Sequence, residues 1–324
     1  MNVLVMQGIG DSLWTLPKLQ AIARAHGSCT INLKVAVWNR DEAESRAVDL
    51  LRRIPIVDSV ELYSMPRDGR PSACLLHGAP AGDDGIYRYI PDGPTDEYPG
   101  VDFVAIANRA LDRGVRLEDW LPEYATNWSV FDGLRIDASE RIYAHAIERS
   151  RGITAGYVVM FHSSVAGNTH SGWNRGSLWK PRQWVDLARK LHDSMGVAVI
   201  SIGASWDRDY WDVLRSDPTT AGMTYWHSLI GRLTIGQTLA LIQRARAVYS
   251  YPSGIGVVAH YLRRPTCFFW RRHGNPIDSR ANVSPSDAMA SAWTYPDAGD
   301  EYLPAWYGET TVDQIVEHAI KAGW

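Results

Sequence analysis

Short apolar runs alternate with amphipathic stretches along most of the chain, and this alternation constrains the fold more than any other feature. The first example is the sharpest. An apolar run from Val3 to Met6 meets Gly8-Ile9-Gly10-Asp11, and a helical pattern then runs from about Thr15 to His26. A strand, a glycine bend and a helix in that order place Asp11 at the carboxyl edge of a parallel sheet, where open α/β sheets bind ligands. Gly8 and Gly10 permit a tight turn and close backbone approach. Pro17 falls in the first helical turn, where proline is tolerated.

The pattern continues through two sets. In the first, strands are predicted over Asn2–Gln7, Ile31–Val37 and Val57–Tyr63, with shorter apolar runs at Ala73–His77 and Val101–Ala107, and helices over Asp41–Arg53 and Asp137–Ser150. Ala79–Gly100 is crowded with Gly, Pro and Asp and reads as a long loop, an acceptor-side flap. Arg151-Gly152-Ile153-Thr154 reads as a hinge. In the second set, strands are predicted at Tyr157–Phe161, Val197–Ile202, Thr224–Trp226, Ala247–Tyr251 and Thr266–Trp270. The helix Pro181–Met195 puts Trp184, Leu187, Ala188, Leu191 and Met195 on one face, with Gly196 as its stop. Further helices are predicted over Asp207–Leu214, Thr234–Arg244 and Gly254–Leu262. The helix at 234 opens with a Thr234/Gln237 capping box, and Thr311 with Gln314 repeats that box before a last helix through Ala322. Two such sets predict an α/β protein of two doubly wound, Rossmann-like domains facing across a cleft. The expected division is an N-terminal Rossmann-like domain over 1–152, a second Rossmann-like domain over 153–308, and a C-terminal helix over 309–324 packing back on the N-terminal domain.

Composition narrows the function classes. A formal charge of −3 argues against a uniformly basic nucleic-acid binder. Cys29, Cys74 and Cys267 are scattered, with no paired spacing for zinc or a disulfide framework. No secretory signal is evident, and no apolar stretch approaches the roughly 18 residues of a membrane span. A cytoplasmic protein without a transmembrane segment is the expectation. The 14 tryptophans serve either as core filling or as platforms for sugar or base rings.

Three segments, in order, resemble the heptosyltransferase-type glycosyltransferases of family 9. The first is Gly8-Ile9-Gly10-Asp11-Ser12-Leu13-Trp14-Thr15-Leu16-Pro17. The second is Phe161-His162-Ser163-Ser164 followed by Trp179-Lys180-Pro181-Arg182-Gln183-Trp184. The third is Leu233–Gln243 leading into Tyr251-Pro252-Ser253-Gly254-Ile255-Gly256 and Arg264-Pro265-Thr266. The pattern is similar, more loosely, to phage-encoded relatives. What the resemblance implies is the GT-B fold, a nucleotide-diphosphate sugar as donor and a glycan or lipid-linked acceptor. One departure matters: Pro252 and Val257 stand near positions where ADP-heptose enzymes carry an aspartate and a histidine. Heptose is therefore not assigned.

Sugar transfer needs a base for the acceptor proton, positive or N–H groups on the leaving diphosphate, and a nucleoside pocket. Asp11 is the candidate base, with capping of its own helix as the plain alternative. Donor-phosphate candidates are Lys180, Ser163, Ser164 and the turn Ser253, Gly254, Ile255 and Gly256. That turn would offer backbone N–H groups and a helix dipole to an anion. The resemblance implies Gly203 and Asp207 toward the ribose, and Trp226, His227 and Leu229 as walls for the base. A helix N-cap is the competing role for Asp207. Gly10, Ser12, Trp14, His162, Arg271 and Arg272 complete the acceptor side and the remaining polar contacts. No Asp-x-Asp pair or His/Cys ligand spacing implies a metal, so none is expected as cofactor. A single base with no facing nucleophile predicts direct displacement with inversion.

Other classes fare less well. For a dinucleotide-dependent dehydrogenase, the third glycine of Gly-x-Gly-x-x-Gly would fall at Leu13, and Trp38-Asn39-Arg40 lacks the ribose-binding acid. A GT-B-like nucleotide-sugar epimerase would use a similar donor cleft. A phage-type DNA-modifying glycosyltransferase, acting in the host cytoplasm on a hydroxymethylated base, would need that base extruded. The net charge leans toward a glycan acceptor.

Overall fold

The computed structural model describes residues 2–6, 30–37, 46–64, 134–162, 179–250, 253–269, 301–303 and 311–324. The chain divides into two compact units between Arg135 and Ile136. In the first unit, β1 (Asn2–Met6), β2 (Ile31–Val37) and β3 (Val57–Ser64) form a parallel sheet in the order β1-β2-β3. Ile31, Leu33 and Val35 are buried on β2, and Val57 and Val60 on β3. Helix α1 (Arg46–Leu51) adds Ala47, Val48, Leu50 and Leu51 to that core. The segment around Leu134 is tied on by the Arg135 N–H, which donates to the Arg53 carbonyl at 2.7 Å.

The second unit contains α2 (Ala138–Ser150), β4 (Tyr157–Phe161), α3 (Pro181–Met195), β5 (Ala198–Ser201), α4 (Arg208–Arg215) and β6 (Trp226–Ser228). It continues with α5 (Ile235–Arg244), β7 (Val248–Ser250), α6 (Gly254–Tyr261), β8 (Thr266–Phe269), β9 (Glu301–Leu303) and α7 (Val312–Ala322). All six strands pair in parallel, in the order β6-β5-β4-β7-β8-β9. Every residue of β4 is buried, as expected of a central parallel strand covered on both faces.

Side-chain alternation assigns the helices to faces. Val158, Met160, Val199, Trp226 and Tyr249 share one core with Trp184, Leu187 and Leu191 of α3, Leu214 of α4, and Ile315 and Ala319 of α7. Tyr157 points to the other face, where its hydroxyl donates to the Leu241 carbonyl of α5 at 2.7 Å. Helices α2 and α6 pack against α5 on that side. The Arg244 guanidinium of α5 holds the Glu148 carboxylate of α2 with two hydrogen bonds, at 2.9 and 2.8 Å.

The sequence-predicted helix signals are realised in detail. The Thr234 hydroxyl accepts from the Gln237 N–H at 3.2 Å, and the Gln237 side chain accepts from the Thr234 N–H at 3.0 Å. Thr311 and Gln314 repeat this at 3.2 and 2.8 Å. Gly196 closes α3 in the left-handed region at φ 68°, a conformation glycine takes without a Cβ penalty. No helix among the described residues is long and apolar enough to cross a membrane.

Four expectations need correction. Helix α2, read as the end of an N-terminal domain, lies in the second unit because its apolar side packs on α5. The C-terminal helix α7 belongs to the second unit and packs on α3: Ile315, Val316 and Ala319 are buried there, and Lys190 pairs with Asp313 at the rim. Strand β6 starts at Trp226, since residues 222–225 are spent in a tight turn with Gly222 at φ 83°. Glu301–Leu303 forms an added strand on β8, too short for its alternation to be read.

Candidate functional site

The strand order of the second sheet reverses between β4 and β7. From β4 the chain goes to α3 on one face and then outward to β5 and β6. From β7 it goes to α6 on the other face and outward to β8. Diverging connections leave a crevice at the carboxyl ends of the two central strands, the switch point where doubly wound sheets take their ligands. Helix α3 runs back to β5 through Gly196, so its N-terminus stands at the carboxyl edge.

On the β7 side, Ser253 caps α6. Its hydroxyl lies 2.9 Å from the Ser250 hydroxyl and accepts from the Gly256 N–H at 3.3 Å. The N–H groups of Gly254 and Ile255 make no hydrogen bond within the described residues. With the helix dipole behind them, these donors favour an anion.

On the β4 side, Lys180 is the N-cap of α3. Its backbone N–H donates to the Gln183 side chain at 2.8 Å, Pro181 takes the first helical position, and the first turn has no acidic residue. The Lys180 ammonium is exposed and has no ion pair among the described residues. Arg182, by contrast, is occupied by Asp217 at 3.1 Å and Asp186 at 3.3 Å. An ammonium at a helix N-terminus opposes the dipole, so this end of α3 concentrates positive potential, with no counter-charge paired to Lys180 among the described residues.

His162 immediately follows β4 and is only 2% exposed. Its ring stacks near Tyr210 at 5.6 Å and Trp211 at 6.1 Å, and meets Trp184 edge-on at 5.9 Å. Burial in this aromatic cage pulls its pKa from 6.5 down to about 3, so the ring is neutral. Neither ring nitrogen has a hydrogen-bond partner among the described residues. The Tyr210 hydroxyl, also desolvated and pushed up to about 12, donates to the Trp179 carbonyl at 3.4 Å.

The carboxyl ends of β5 and β6 are clasped together. Asp207 is 3% exposed, and its carboxylate accepts from the Ala204 N–H at 2.7 Å. A Cβ on Gly203 would sit 2.6 Å from that carboxylate, so a larger residue there would have to displace the Asp207 side chain. The Gly231 N–H donates to the Gly203 carbonyl at 2.9 Å, and Arg208 donates to the Gly231 carbonyl at 3.1 Å. Gly203 and Asp207 therefore close a turn. Trp226 is 4% exposed, lies edge-on to Trp211 at 5.1 Å and donates its Nε1–H to the Ser201 hydroxyl at 2.8 Å. Leu229 is buried as well. Both belong to the core in place of the open walls expected. His227 is half-buried on the opposite face of β6, its pKa lowered by burial and then by Arg151.

Lys180, His162, Ser253, Gly254, Ile255 and Gly256 thus all lie in segments that follow β4 and β7 or open the helices after them. Asp11, Gly10, Ser12, Trp14, Ser163, Ser164, Arg271 and Arg272 lie outside the described residues. Sequence reasoning missed Tyr210, Trp211, Arg208 and Gly231. The adjacent aromatics at the start of an amphipathic helix were a usable signal; the clasp at Gly231, formed across two strands, was not. Among the described residues no cluster of three His, Cys, Asp or Glu could hold a metal ion.

No protein-family model and no curated protein matches the chain. Solved structures do. The ADP-heptose lipopolysaccharide heptosyltransferase II of Escherichia coli is 13% identical, with 99% of this chain and 98% of that chain covered at a TM-score of 0.58. A family 9 glycosyl transferase from Veillonella parvula is 11% identical, with 99% and 95% covered at 0.57. The E. coli heptosyltransferase WaaC, solved with ADP-2-deoxy-2-fluoro heptose, is 14% identical, with 100% of both chains covered at 0.53. At such identities the likeness speaks for the fold, which is the α/β GT-B class that the sequence motifs predict.

Proposed function

We propose that the chain is an inverting, metal-independent glycosyltransferase that moves a sugar from a nucleotide-diphosphate donor to a hydroxyl of a glycan or lipopolysaccharide-type acceptor. The observation that carries this reading is the switch point between β4 and β7, flanked on one side by Lys180, which has no ion pair among the described residues, and on the other by the Ser253–Gly256 turn. A diphosphate is the ligand those groups suit: a compact ammonium acts as a point charge, and the turn's N–H groups can donate to two or more of its oxygens. Both stabilise the charge that builds on the leaving group as the glycosidic bond breaks. Likeness of fold to enzymes solved with or named for ADP-heptose supports a nucleotide-sugar donor. Pro252 and Val257 keep the sugar unassigned.

In this reading the carboxylate of Asp11 takes the acceptor proton while the acceptor oxygen attacks the anomeric carbon and the nucleoside diphosphate leaves. One displacement inverts the configuration. Lys180, Ser253 and the α6 N–H groups neutralise the diphosphate, so the reaction as proposed requires no metal. The test is release of nucleoside diphosphate from a nucleotide sugar by the wild-type chain and by Asp11→Asn. Loss of a general base should lower kcat by at least about 100-fold with donor affinity retained. Undiminished turnover in Asp11→Asn would remove Asp11 from the mechanism.

A further inference from the structure

Helix α2 has two unlike sides. On the inner one Ala144 is buried, Tyr143 and Ile147 are half-buried, and Glu148 is taken up by Arg244 of α5. On the outer one Arg141, His145 and Arg149 recur every fourth residue, with Ile142 beside them, within an arc of about 100°. All four are exposed, and at 63% Ile142 is the most exposed large apolar residue among those described. No carboxylate shares the arc: Asp137 is the N-cap, and Glu140 lies on the inner side, accepting from the Asp137 N–H at 2.8 Å. His145 is turned toward Arg244, with 3.1 Å between its Nε2 and the guanidinium. Arg141 and Arg149 have no ion pair among the described residues, and the exposed Arg151 carries the basic run past the last turn.

A lone exposed isoleucine is ordinary on a protein surface. Set between arginines it makes a combination that an anionic bilayer accepts. Guanidinium groups bond lipid phosphates while their stems and the neighbouring apolar side chain reach the acyl boundary. A nucleic-acid duplex would take the arginines but offer Ile142 only a phosphate rim, so the bilayer is the occupant that uses the whole arc. The formal charge of the chain is −3, so attraction to an anionic surface has to come from a local patch, and that patch orients the chain on it. We propose that the outer face of α2 is a membrane-docking surface, seating the second unit on anionic phospholipid through Arg141, Arg149, Arg151 and Ile142. It stands apart from the transfer reading, since it uses no group assigned to donor or acceptor.

The test is co-sedimentation of the full chain with vesicles of phosphatidylcholine and phosphatidylglycerol in equal parts, against vesicles of phosphatidylcholine alone. Binding should be confined to the anionic vesicles and fall as salt is raised, because exposed charges are screened. Arg141→Gln combined with Arg149→Gln should weaken it about 25-fold, roughly fivefold for each arginine near an anionic surface. Ile142→Ser should weaken it by about fivefold through the lost apolar burial. Lys190→Gln combined with Lys321→Gln removes the same charge from α3 and α7 and should leave binding within about twofold. The α2 variants replace exposed side chains and should melt as the wild type does. Equal binding to neutral vesicles, no binding to either kind, or full binding by the double arginine variant would overturn the proposal. Preference for duplex DNA over anionic vesicles, undiminished in Ile142→Ser, would overturn it in favour of a nucleic-acid surface. Should the arginine variant fail to fold, Ile142→Ser and the lipid dependence of the wild type decide the matter.

Discussion

At the scale of single residues, the second unit separates polar groups that hold the fold from those that face an unmet task. Asp207 looked like a ribose ligand in the sequence, but its carboxylate is committed to the Ala204 N–H and pressed against Gly203. Trp226 looked like a base platform and is part of the core. Lys180 and His162 are the reverse: among the described residues one is a cation without an ion pair, the other a neutral ring without a hydrogen bond. The ring also carries a pH signature. Its folded pKa, about 3, lies below its ordinary 6.5, so between those values the unfolded chain binds a proton that the native state refuses. Stability from this group is fully present above pH 6.5 and falls as the pH drops through that window, by at most about 1.4 kcal/mol per pH unit. Urea unfolding midpoints measured from pH 7 to pH 4 should therefore fall more steeply for the wild type than for His162→Phe. Parallel slopes would mean that the ring is not enclosed as described.

At the scale of elements, the clasp between the β5 and β6 edges sets how rigid the crevice's neighbouring loops are. Gly231 sits at φ 66°, and a Cβ there would lie 2.8 Å from the Ser205 Cα and 2.9 Å from Arg208 Nε. Because the nearest atom is backbone, relief requires the turn itself to move. Gly231→Ala should cost roughly 2 kcal/mol from the left-handed backbone and the overpacking together, read as a lowered unfolding midpoint. An unchanged midpoint would show that the two loops are not locked. This element also marks the limit of sequence reading. Helices α3, α5 and α7 were legible because caps and apolar stripes are local: Thr234 with Gln237, Thr311 with Gln314, and Gly196 as a stop. Strand β4 was legible as an uninterrupted buried run. The Gly203–Asp207–Gly231 clasp was not, since it joins residues distant in sequence through backbone contacts that leave no periodic trace. The side on which Trp226 is buried was equally hidden, because alternation gives two faces and does not say which is packed.

At the scale of the whole chain, the sheet order marks where a ligand would bind. A parallel sheet ordered β6-β5-β4-β7-β8-β9 has one reversal, and His162 and Ser253 follow the two strands that border it. The likeness of the full chain to heptosyltransferases and a family 9 glycosyl transferase concerns the fold. The most direct measurement is a calorimetric titration of the wild-type chain with a panel of nucleoside diphosphate sugars covering the adenine, guanine, uracil, thymine and cytosine bases. One member should bind in a one-to-one complex, more tightly than its bare nucleoside monophosphate. If no nucleotide sugar binds, or the monophosphate binds equally well, the crevice between β4 and β7 is not a diphosphate site.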